Sequence, residues 1–91
     1  MNSVDVRQLT ETTFEVTVQG SSRTTHSVTV PTQYAAKLTG GHVTTEQLVR
    51  RSFDFLLQRE SNTSILRSFE LSVIARYFPE YERVIRDMLN D

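Results

Sequence analysis

Residues 44–60, TTEQLVRRSFDFLLQRE, decide how this chain folds. Thr44 followed three residues later by Gln47 is a capping-box signature, and it predicts that a helix starts here. At helical spacing, Phe55, Leu48, Leu56, Val49, Phe53 and Leu57 spread over roughly 200° of arc. A helix lying on one surface needs only about half that width. The spacing therefore predicts a central helix covered from two sides, by a sheet on one and by further helices on the other. Arg50, Arg51, Asp54, Gln47 and Gln58 fill the remaining solvent strip, where Glu46 and Arg50 pair one turn apart. Phe53 and Leu56 are expected to be among the most buried residues. Arg59 breaks the pattern by falling inside the apolar arc, between Leu48 and Leu56. A guanidinium there must snorkel or find a carboxylate, which predicts a buried ion-pair clamp to Glu70, Glu80 or Glu82.

Upstream of this helix the apolar period changes from helical to alternating. Phe14, Val16 and Val18 face one way, and Thr13, Glu15, Thr17 and Gln19 the other, which predicts a strand over 13–19. Gly20-Ser21-Ser22-Arg23 is turn chemistry, and a second alternation over 25–30 turns Val28 and Val30 inward. Together they read as an antiparallel hairpin. Val4 and Val6 permit a third strand over 4–9. Pro31 ends the second strand and opens a helix over 31–38, which Gly40-Gly41 stops. Downstream, Ser61-Asn62-Thr63-Ser64 is a break rich in N-cap residues. Short helical pieces follow over 64–69 and 70–78, and Pro79 opens a last helix over 79–89. Tyr81, Val84, Ile85, Met88 and Leu89 form its apolar stripe. The expected fold is α+β: an N-terminal hairpin, with a third strand allowed, packed on three to five C-terminal helices in one domain spanning 1–91.

The bulk properties bound the function. A chain of 91 residues with 37% apolar content has one modest core, to which a partner surface would add. Ten basic and eleven acidic residues set up no global field toward nucleic acid or anionic lipid. The absence of cysteine excludes disulfides, thiolate metal sites and cysteine nucleophiles, and it suits a reducing cytoplasm. MNSVDVRQLTETT has neither the basic nor the apolar region of a signal peptide.

Residues with chemistry are few. His26 lies in the hairpin on the Val28 face and His42 follows Gly40-Gly41, with no further histidine or cysteine to complete a metal site. His26 is expected to be a partly exposed structural residue. No nucleophile elbow surrounds any serine, and Gly40-Gly41 lacks the lysine of a phosphate loop. Glu80, Glu82 and Asp87 share a charged helix face with arginines, which is ordinary for a solvated surface. These readings assign no catalytic, cofactor-binding or metal residue, and point away from an enzyme.

Two DNA-binding layouts are present in outline. HSVTVPTQYAAKL (26–38) followed by TTEQLVRRSFDFL (44–56) resembles ribbon–helix–helix regulators, whose paired ribbon enters the major groove. That resemblance implies that Thr25, Ser27 and Thr29 face the bases. Against it, the ribbon's outer face carries Glu15 and no lysine or arginine, although phosphate neutralisation dominates DNA affinity. A helix-turn-helix over 71–89 would open its reading helix with Pro79-Glu80-Tyr81-Glu82, whose charge is wrong for phosphates.

The segments SFDFLLQRE (52–60) and SILRSFELSVIARYFPEYE (64–82) resemble a group of short bacterial proteins. The resemblance covers about half of the chain and implies a small bacterial protein with no particular activity. The resulting expectation is a non-enzymatic protein-interaction or regulatory module in the cytoplasm. Its rival is a DNA-binding regulator or antitoxin of ribbon–helix–helix type. A homodimer through the N-terminal strands, residues 1–9, is the expected form of self-interaction.

Overall fold

The capping box forms as the sequence requires. The Thr44 side chain accepts from the Gln47 backbone N–H at 3.1 Å, and the Gln47 side chain accepts from the Thr44 N–H at 3.0 Å. Both bonds satisfy backbone donors that a helix start leaves open. From this cap runs helix α2 (Thr45–Leu57). A computed structural model describes residues 3–90; the first two residues of the stretch expected to dimerise lie outside the described residues.

Four strands build one sheet in the order β1 (Ser3–Gln8), β2 (Thr13–Gln19), β3 (Arg23–Thr29) and β4 (Ser68–Glu70). The first three pair antiparallel, and β4 runs parallel to β3 with Phe69 beside Val28. The helices are α1 (Thr32–Thr39), α2, α3 (Val73–Tyr77) and α4 (Tyr81–Leu89). The chain is thus α+β, with a sheet of three long strands and one short one.

The inner sheet face buries Phe14, Val16, Val18, Val28 and His26. α2 is covered from both sides, as its wide apolar arc demands. Phe53 meets His26 of β3 with ring centroids 5.4 Å apart, and Phe69 of β4 at 6.1 Å. Phe55 points to the other side, edge-on to Phe78 at 5.7 Å and to Tyr81 of α4 at 5.2 Å. Phe53 is fully buried and Leu56 nearly so.

Four boundaries correct the sequence reading, the first being that the central helix, expected over 44–60, stops at Leu57. The piece expected as a helix over 64–69 is a 3-10 turn (Asn62–Ser64) followed by strand β4. Its residues alternate about Phe69, and the open edge of β3 supplies hydrogen bonds that an isolated helical turn would lack. The helix expected over 70–78 shrinks to α3, because Leu71 is held at the end of β4, its N–H donating to the Thr29 carbonyl at 2.9 Å. Pro79 sits in the turn before α4, which starts at Tyr81. Gly40 closes α1 at φ 62°, the left-handed conformation that favours glycine, and its N–H bonds the Ala36 carbonyl.

Two polar contacts lock helices together. The Tyr34 hydroxyl of α1 donates to Glu82 of α4 at 2.9 Å, and Lys37 pairs with the same carboxylate at 3.1 Å. Burial, together with the bond to Glu82, pushes the Tyr34 phenol far above its ordinary value. The Tyr34 bond, with Lys37 behind it, holds the Glu82 carboxyl below its usual range. A lowered folded-state pKa stabilises the fold at pH values above the unfolded pKa, and that contribution disappears as pH falls through the folded one. Urea titrations between roughly pH 5 and pH 2 should therefore show the parent losing more stability than Glu82→Gln. Equal losses would show that the carboxyl does no such work.

Candidate functional site

An apolar groove lies beside β4, between the end of α2 and α3. Its volume is about 290 Å³, and Leu56, Ile65, Phe69, Ile74 and Phe78 contribute to its lining. Leu66 and Tyr77 complete it, and Glu60 and Ser64 add polar groups to the same lining. Leu66 is 48% exposed and Tyr77 68%, and among the described residues Leu9 is the other large apolar side chain this exposed. Exposed apolar side chains scattered singly need no explanation. Two of the three in one groove do.

Local sequence explains how they come to be there. Ile65-Leu66 and Tyr77-Phe78 are adjacent apolar pairs, and successive side chains point in different directions, to opposite faces where the backbone is extended. Ile65 enters the core at 7% exposure and Phe78 packs edge-on against Phe55. Leu66 and Tyr77 are left outside.

A buried polar network holds the strand that floors this groove. The His26 ring bonds the Leu66 carbonyl through Nδ1 and the Thr24 hydroxyl through Nε2, both at 2.8 Å. A carbonyl only accepts, so Nδ1 carries the hydrogen and donates. Asn62 Nδ2 donates to the Ser22 carbonyl and to the Thr24 hydroxyl, each at 2.9 Å. His26 is 1% exposed and Asn62 2%, so the partly exposed histidine expected from sequence is instead wholly buried. Two bonds and the Phe53 ring offset the burial of its polar atoms.

Arg59 finds one of the three expected carboxylates. Its Nε lies 3.6 Å from Glu80, its Nη1 donates to the Phe55 carbonyl at 3.0 Å, and its guanidinium carbon stands 3.6 Å above the Phe55 ring. The pair is not buried: the two side chains are 26% and 38% exposed. α2 ends at Leu57, so Arg59 leaves the helical arc and lies over Phe55 at the surface. The clamp is a stacked surface cation rather than an internal ion pair.

Thr25, Ser27 and Thr29 project from the outer face of β3 and are exposed. The same face carries Arg23 of β3 with Asp5, Arg7, Glu15 and Glu70, so it is not free of arginine as expected, but Arg7 is bound to Glu15 at 3.1 Å and the carboxylates outnumber the guanidinium groups. β3 is paired along its whole length with β2 and over Ser27–Thr29 with β4, so a ribbon from a second chain could meet only its Arg23–His26 half. His42 is exposed in the loop after α1, far along the chain from the groove. Among the described residues no group of three or more histidine, aspartate or glutamate side chains is placed to hold a metal ion, and no helix is long and apolar enough to cross a membrane.

The sequence does not reveal the groove, because its spacing places Leu66 and Tyr77 in helical pieces whose apolar faces would be covered. The two adjacent apolar pairs were the available signal. Comparison with family models, with curated proteins and with solved structures finds no match for this chain.

Proposed function

We propose that the chain is a small non-enzymatic protein-interaction or regulatory module of bacterial type, working in the cytoplasm and docking a protein partner in the groove beside β4. The observation that carries this reading is the concentration of Leu66 and Tyr77 on one apolar groove. A concave apolar surface with a few polar groups at its rim is where a binding site is sought first. Self-association through β1 belongs to the same class of function, and Leu9 lies beyond its end. The ribbon–helix–helix alternative requires a free strand edge and a cationic face; β4 occupies the Ser27–Thr29 stretch of the β3 edge, and Asp5, Glu15 and Glu70 outweigh Arg7 and Arg23 on the outer face.

The test uses the chain as bait. Parent and Leu9→Ser should retain the same partner from a cell extract, and a Leu66→Asp, Tyr77→Ser bait should lose it. Retention by the groove variant would place docking elsewhere. Sedimentation at micromolar concentration reports β1 pairing as twice the monomer mass. Salt-sensitive retention of duplex DNA by the parent would move the reading to the DNA-binding class.

A further inference from the structure

We infer that the groove and the free edge of β4 receive an extended segment of a partner protein, added to the sheet as a fifth strand, with apolar side chains at alternate positions and a lysine or arginine that reaches Glu60. This rests on the docking reading above and specifies its occupant.

The backbone of β4 sets the first requirement. The Arg67 carbonyl accepts from the Ser27 N–H at 2.7 Å, and the Leu71 N–H donates to the Thr29 carbonyl at 2.9 Å. Peptide groups alternate in direction along a strand. Those two bonds therefore turn the N–H and C=O groups of Ser68 and Glu70 away from β3, toward the open edge of the sheet. Among the described residues no loop or cap bonds them. The opposite edge is treated differently: the Arg50 guanidinium donates to the Val4 carbonyl of β1 at 2.7 Å. Edges left open are where another strand pairs, and guarded edges resist it. One carbonyl of the β1 edge is thus already bonded, whereas the outward groups of Ser68 and Glu70 in β4 are available.

The groove sets the second requirement. A strand added to β4 sends every second side chain to the inner side of the sheet, where Phe69 points and the groove opens. A volume of about 290 Å³ suits a few side chains rather than a large ligand.

Charge sets the third. Glu60 lines the groove, and no lysine or arginine among the described residues lies within 4.0 Å of its carboxylate. Covering it with an apolar segment would remove water from an unpaired charge, which is costly. An occupant carrying a cation at that point supplies the missing partner, with its stem free to lie along the Tyr77 ring. An acidic segment is excluded by the same argument.

The experiment pans a phage library of random dodecapeptides against the full chain, then titrates the strongest clone as a synthetic peptide. The expected consensus has apolar residues at every second position and at least one lysine or arginine. Ser68→Pro removes one outward N–H without touching the bonds of Phe69 to β3, and should weaken binding about tenfold. Glu60→Lys should weaken it by about as much, with unchanged circular dichroism in both variants. In the parent, the amide protons of Ser68 and Glu70 should move downfield on binding, a readout that depends on no variant. Clones with helical spacing, insensitive to Ser68→Pro but sensitive to Leu66→Asp, overturn strand addition and leave the docking reading standing. No clone sensitive to Leu66→Asp overturns both. A chain dimer that Leu66→Asp dissociates puts a second copy in the groove and overturns the partner segment.

Discussion

Phe53→Ala is expected to remove about 3–5 kcal/mol of folding stability. The Phe53 ring is wholly buried, and it joins three elements that share little sequence: α2, β3 through His26, and β4 through Phe69. Alanine would leave a cavity bounded by a sheet and a helix whose own backbone bonds prevent them from collapsing into it. A domain of this size is stable by roughly 5–15 kcal/mol, so one truncation consumes a large share of the whole. Thermal melts should fall by more than roughly 10 °C. Leu9→Ala is the comparison, because Leu9 is about half exposed and its loss should stay within about 0.5 kcal/mol. A Phe53→Ala melt that matches the parent would refute the central place given to α2.

That central place was legible in the sequence because two independent signals agreed. The capping box fixed where α2 starts, and an apolar arc too wide for one surface required cover on both sides. The alternating strands were legible for the same reason, and β1, β2 and β3 lie within a residue or two of their expected bounds. β4 was not legible. Three residues are too few to show a period, and Leu71, Ile74 and Phe78 continue a helical spacing just beyond them. What makes Ser68–Glu70 a strand is the edge of β3, which lies about 40 positions upstream in the chain. Arg59 was half legible. Its aromatic and acidic neighbours follow from the packing, but its exposure depends on where α2 stops, and helix ends are set by tertiary contacts as much as by local sequence. The groove was hidden with them, since it exists only where β4 stands in place of a helix and α3 is short.

His26→Leu should cost about 1–3 kcal/mol and should loosen the groove more than the rest of the fold. Leucine keeps apolar contact with Phe53 but deletes both ring nitrogens. The Leu66 carbonyl then loses its buried donor, and the Thr24 hydroxyl loses the acceptor opposite Asn62. A buried polar group left without a partner costs about 1–3 kcal/mol, less whatever water recovers. The damage is local in origin: His26 ties β3 to the backbone at Leu66, two residues before β4 begins. Amide exchange separates this from general destabilisation. The Ser27 and Leu71 amides, which bond across the β3–β4 pair, should exchange faster by a larger factor than that of Leu48, which closes the first turn of α2. Partner binding in the groove should weaken in step, because the strand that floors it is less often in place. Uniform acceleration across all three amides would mean that the network stabilises the fold as a whole, and that the groove draws nothing special from it.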